Sequence, residues 1–103
     1  MTQARTLLNT VGNTTGNVFA DNYGSASFQA TITSSNNTTV SCTITIQCSL
    51  DTTNWIDVGT ITLSGNPSAT DGFYCIGQWV AYRAKTSAVT GSVADITVNI
   101  GTA

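Results

Sequence analysis

The chain has 103 residues, a formal net charge of −2, and only 8% charged side chains, where ordinary soluble domains carry about 25%. There is no histidine and no glutamate, and the basic residues are Arg5, Arg83 and Lys85 alone. So few cations exclude a nucleic-acid binder or a protein drawn to anionic membranes, because both need clustered Lys and Arg.

A chain of this length fits one domain with one thin core. Good helix formers are scarce, whereas Thr, Val and Ile are abundant, so the class is all-β. No apolar run approaches the roughly 20 residues of a spanning helix. Residues 1–9 carry no hydrophobic signal core, so nothing is expected to mark the chain for secretion. Asn13-Thr14-Thr15 and Asn37-Thr38-Thr39 match the glycosylation pattern, but in so Asn/Thr-rich a chain they read as chance.

In chain order, residues 5–11 suggest a strand with Leu7 and Val11 facing inward. A polar stretch, Gly12-Asn13-Thr14-Thr15-Gly16-Asn17, precedes a short edge strand over residues 18–23. Residues 1–23 are therefore expected as an N-terminal arm with a soft first strand, and residues 24–103 as a β-sandwich, within one domain. Ala26, Phe28, Ala30 and Ile32 alternate with polar residues, as do Val40, Cys42, Ile44, Ile46 and Cys48. Period two marks half-buried antiparallel strands, and Ser34-Ser35-Asn36-Asn37 between them suggests a hairpin.

Asp51-Thr52-Thr53-Asn54 is a turn before Trp55, and residues 56–64 form a strand with Ile61 and Leu63 inward. Pro67, which cannot donate to a ladder, breaks it. A short strand over residues 72–77 follows. In residues 79–86, Val80, Tyr82 and Ala84 lie opposite Trp79, Ala81, Arg83 and Lys85. After a turn at Thr90-Gly91, Ala94, Ile96, Val98 and Ile100 form the last apolar face. Seven or eight strands at this spacing imply an antiparallel sandwich, jelly-roll-like or immunoglobulin-like. Cys42, Trp55 and Cys75 imitate an immunoglobulin series, but Tyr74 adjoins Cys75 and the cysteines are too close in sequence.

Cys42 and Cys48 would lie roughly 20 Å apart on one strand, too far for a disulfide, which needs Cα atoms within about 7 Å. Cys75 could meet either one. An odd count with no secretion signal reads as three small, buried, reduced core residues. Without histidine the Ser–His and Cys–His pairs are impossible, and Asp21, Asp51, Asp57, Asp71 and Asp95 sit at turns or exposed positions. No catalytic residue, cofactor site or metal site is assigned. The nearest to a metal site is Asp51, Asn54 and Asp57, whose oxygens suit calcium, but Asx residues in turns ordinarily bond their own backbone. Trp55 and Trp79 read as core anchors at sheet ends; exposed, they would suit stacking on sugars. Arg83 would pair with an aspartate or stack on Trp79.

The run Ser49-Leu50-Asp51-Thr52-Thr53-Asn54-Trp55, then Val58-Gly59-Thr60-Ile61-Thr62-Leu63-Ser64-Gly65, resembles small virion proteins of tailed bacteriophages. Trp79-Val80-Ala81-Tyr82-Arg83-Ala84 and Ile96-Thr97-Val98-Asn99-Ile100-Gly101 continue the likeness. Members often have Asp-Gly before the tryptophan, where this chain has Asp51-Thr52, and the cysteines lie outside the pattern. The resemblance implies a non-enzymatic structural protein, most naturally a capsid cement (decoration) protein stabilising the head shell. A tail or neck component is the alternative, and a carbohydrate-binding module a second one. Implied with it are a homotrimer, the major capsid protein as partner, a place on the capsid surface after synthesis in the host cytoplasm, and Trp55, Trp79, Tyr82 and Arg83 as assembly or core anchors. Neither nucleic acid nor membrane is an expected partner.

Overall fold

The computed structural model describes residues 3–16, 18–20, 25–76 and 79–102. Nine strand segments run in order: β1 (Gln3–Thr10), β2 (Thr14–Thr15), β3 (Phe19–Ala20), β4 (Ser25–Ser34), β5 (Val40–Ser49), β6 (Ile56–Gly65), β7 (Ser68–Ile76), β8 (Ala81–Thr90) and β9 (Val93–Thr102). One sheet has the order β1-β9-β4-β7, and the other β2-β8-β5-β6, with β3 also on β8. Since β2 and β3 both pair with β8, they are two pieces of one edge strand, and eight strands result.

The pairing follows one rule. β1 pairs with β9, β2 and β3 with β8, β4 with β7, and β5 with β6, all antiparallel. The chain is thus one long hairpin, folded back between β5 and β6 and then rolled into two facing sheets. That is the jelly-roll topology, which decides between the two sandwich types.

The rolling corrects the hairpin expected between β4 and β5. These strands lie in different sheets, and residues 35–39 arch between them. Ser35 is held to the far turn through its backbone N–H and its hydroxyl, both donating to the Ser92 carbonyl, at 2.8 and 3.1 Å. Each strand is apolar on one face only, and the arch lets those two faces meet across the core instead of lying side by side.

The core is that meeting. Phe28, Ala30, Ile32, Ile96, Val98 and Ile100 of one sheet face Val40, Cys42, Ile44, Ile46, Leu63 and Ala84 of the other, all buried. Of the residues expected to form the N-terminal arm, 3–10 pair with β9. Part of the expected edge strand over 18–23 is β3, and 21–23 lie outside the described residues. Bulges explain the inward faces that alternation misassigned, because one extra residue shifts the phase by one. Leu7 is unpaired between the Thr6–Asn99 and Leu8–Val98 pairs, so both leucines are buried while Val11 is exposed. Ala94 is skipped between Asp95 and Val93, which leaves it exposed and packs Val93 against the core. β7 begins at Ser68, four residues before the expected start, and β8 begins at Ala81, leaving Val80 exposed.

The buried Thr86 side chain is satisfied. Thr86 Oγ1 donates to the Gly12 carbonyl at 2.8 Å and accepts the Thr14 N–H at 2.9 Å, tying the β1–β2 connection to β8. Among the described residues no buried side-chain polar atom lacks a partner.

Candidate assembly surface

The fold-back point of the long hairpin is a built loop. Ser49 is buried; its hydroxyl donates to Asp51 Oδ1 at 2.9 Å, and Ser49 Oγ accepts the Asp51 and Thr52 N–H groups. Asp51 Oδ1 accepts the Asn54 N–H at 2.8 Å and the Thr53 N–H at 2.9 Å, while Oδ2 accepts the Asn54 amide at 2.8 Å. These donors, the Asn54 N–H foremost, hold the Asp51 carboxyl well below the usual carboxylate range. Thr52 has φ 60°, a left-handed conformation costly for a β-branched residue.

Beside this loop lies a polar row across three strands. Arg83 Nε donates to Gln47 Oε1 at 2.7 Å, and Gln47 Nε2 donates to Asp57 Oδ1 at 2.9 Å. The Arg83 guanidinium carbon stands 4.3 Å from the centre of the Trp55 ring. Arg83 therefore stacks on Trp55, not Trp79, and is linked to Asp57 through Gln47.

The anchors named from sequence separate into two groups. Tyr82 is 2% exposed, with its ring edge on Phe28 at 5.5 Å, and the Cys75 thiol donates to its hydroxyl at 3.9 Å. Trp79 is half-buried and packs against the core; Trp55 is half-buried under Arg83. Cys42 and Cys48 are buried, Cys75 is half-buried, and all three are free. Burial, with the Cys75 thiol adding to it, pushes the Cys48 thiol up to about 11.

Alternation did not reveal an exposed apolar group at the same end. Leu50, Ile56 and Val80 are 63%, 57% and 39% exposed, three of the six large apolar side chains exposed among the described residues. They are close in the fold, because the Val80 N–H donates to the Ser49 carbonyl and Ile56 pairs with Cys48. The available signal was that Leu50 and Ile56 bracket a polar turn, outside any alternating run. Exposed apolar residues at the same end as the polar row of Arg83, Gln47 and Asp57 give it the mixed composition of a protein contact.

The carboxylates are engaged locally. Asp57 turns to Gln47 and Asp51 to its own loop, so the oxygens considered for calcium do not share a site. Asp71 accepts the Gly72 N–H, and Asp95 accepts the Thr97 hydroxyl; Asp21 lies outside the described residues. Among the described residues no group of three His, Cys, Asp or Glu is placed to hold a metal.

The topology defines a small jelly-roll domain. No protein-family model matches the sequence, and no curated protein does. The crystal structure of the SPBc2 prophage-derived protein YomS has the same fold, with a TM-score of 0.67 and 12% identity, over 99% of this chain and 92% of that one.

Proposed function

We propose that this chain is a structural virion protein of a tailed bacteriophage, without enzymatic activity, and that it acts as a capsid cement protein on the head shell. The observation carrying the reading is the end-to-end fold match to a prophage-derived protein, which agrees with the sequence resemblance to small virion proteins. A charge-poor surface of Thr, Ser and Asn supports it, because such a surface desolvates at lower cost than one of Lys and Glu. It also meets symmetry-related neighbours without like-charge repulsion. Leu50, Ile56 and Val80 supply the contact, with the major capsid protein as partner and a homotrimer as the unit that binds. Binding only the assembled shell would stabilise it by mass action.

The test compares phage particles made with and without the protein, imaged by electron cryomicroscopy and challenged by heat. Density on the head and lower heat resistance without the protein are the expected results. Density confined to the tail or neck would replace the cement role with a tail role. Leu50→Asp with Ile56→Asp should reduce occupancy while leaving the fold intact, since both side chains are exposed.

A further inference from the structure

The outer face of the β1-β9-β4-β7 sheet carries a groove that assembly at the Leu50 end does not use. Gln29 pairs with Asn99, Ser27 with Gly101 on one side, and Ser27 with Tyr74 on the other. Gly101 has no side chain, and a shallow cavity of about 200 Å3 opens there, lined by Ser27, Phe28, Gln29, Asn99 and Gly101. Tyr74, at 69% exposure, flanks it across β4.

The polar groups of this groove differ from their neighbours. One row further along the same face, Asn9 donates to Thr97 and Thr31 bonds Thr70, each at 3.1 Å. By contrast, the side chains of Ser27, Gln29, Asn99 and Tyr74 make no hydrogen bond among the described residues. Two free carboxamides present two acceptors and four N–H donors, to which Ser27 adds a hydroxyl. Among the described residues no ionisable group lines the cavity, so an anionic or cationic ligand would find no counter-charge there.

We infer that this groove binds a neutral saccharide, with the Gln29 and Asn99 carboxamides bonding ring hydroxyls and Tyr74 packing on the apolar face of a sugar ring. A hydroxyl both donates and accepts, which matches a carboxamide pair, and an exposed aromatic ring beside polar groups is suited to a ligand with one apolar and one wet side. The cavity is smaller than a drug-sized pocket and suits one or two sugar units of a longer chain. This site is independent of the cement role and of the contact surface at Leu50.

The test is a titration of isotope-labelled full-length protein with maltohexaose, cellohexaose, mannohexaose and chitohexaose, followed by amide NMR. At least one sugar should cause saturable shifts at the Gly101 amide and the Gln29 and Asn99 side-chain amides, with the Trp55 indole unmoved. Gln29→Ala with Asn99→Ala should weaken that binding about tenfold, as expected for two lost hydrogen bonds, with the melting temperature retained. Gly101→Val should abolish it by filling the floor. No saturable shift from any of the four sugars at about 10 mM, a concentration that detects even millimolar affinity, would overturn the proposal. So would shifts centred on Trp55, or a double variant that binds as well as the parent.

Discussion

Arg83 lies across the face of Trp55, its guanidinium carbon 4.3 Å from the ring centre, while its Nε is bonded to Gln47. A planar cation held from two directions joins the start of β6 to β8 through side chains alone. Arg83→Ala should therefore cost about 1–2 kcal/mol, the sum of a surface cation–π contact and a hydrogen bond. Urea unfolding measures the loss, and tryptophan emission should change in the folded state. Arg83→Lys should retain only part of the stability, because an ammonium does not stack as a guanidinium does. An alanine variant with unchanged midpoint and emission would refute the pairing.

Tyr82 and Trp55 should respond differently to truncation. Tyr82→Ala removes a fully buried ring packed on Phe28 and should cost about 3–5 kcal/mol. Trp55→Ala removes a half-buried ring and should cost about 1–2 kcal/mol. Calorimetry on both variants checks the order, and equal losses would mean that Trp55 belongs to the core.

Alkaline pH should destabilise the fold through its buried acids. The Cys48 thiol rises from its ordinary 9.0 to about 11, and the Cys42 thiol and the Tyr82 phenol are also raised, chiefly by burial. Between those values the unfolded chain has lost a proton that the folded chain keeps. Stability is therefore complete below about pH 9 and falls as pH rises towards 11. Urea midpoints across that range give the measurement, and Cys48→Ala should flatten the slope. In the native protein at neutral pH, a thiol reagent should modify the half-buried Cys75 before Cys42 and Cys48. A denatured, unreduced sample should show all three thiols.

Thr52→Gly should stabilise the protein. Thr52 sits at φ 60°, where an L-residue pays about 1–2 kcal/mol. The greater freedom of glycine in the unfolded chain returns about 0.4–1 kcal/mol of that. The net expectation is a gain of about 0.5–1 kcal/mol, seen as a higher melting temperature. A lower one would show that the Thr52 hydroxyl bond to the Asp51 carbonyl, at 2.6 Å, outweighs the backbone strain.

The alternation of Val40, Cys42, Ile44, Ile46 and Cys48 was enough to define a strand and its buried face, because side-chain direction along a strand depends only on position. The same holds for Ala26 to Ile32 and for Ile96 to Ile100. The Asp51 turn was legible too, since an Asx side chain bonds its own backbone within three residues. What alternation does not encode is which strands become neighbours. β4 and β5 are consecutive and equally amphipathic, yet they join different sheets, because burying both apolar faces requires them to oppose each other across the core. Bulges at Leu7 and Ala94 shift the phase only relative to a partner strand, so Val11 and Ala94 were misassigned. Along the chain, only the placement of Leu50 and Ile56 around a polar turn hinted at the first surface feature, and nothing hinted at the second. Leu50, Ile56 and Val80 come to one end because β5 pairs with both β6 and β8, and Gln29 lies beside Asn99 because β4 pairs with β9. Those pairings are long-range, and only the rolled hairpin brings such residues together.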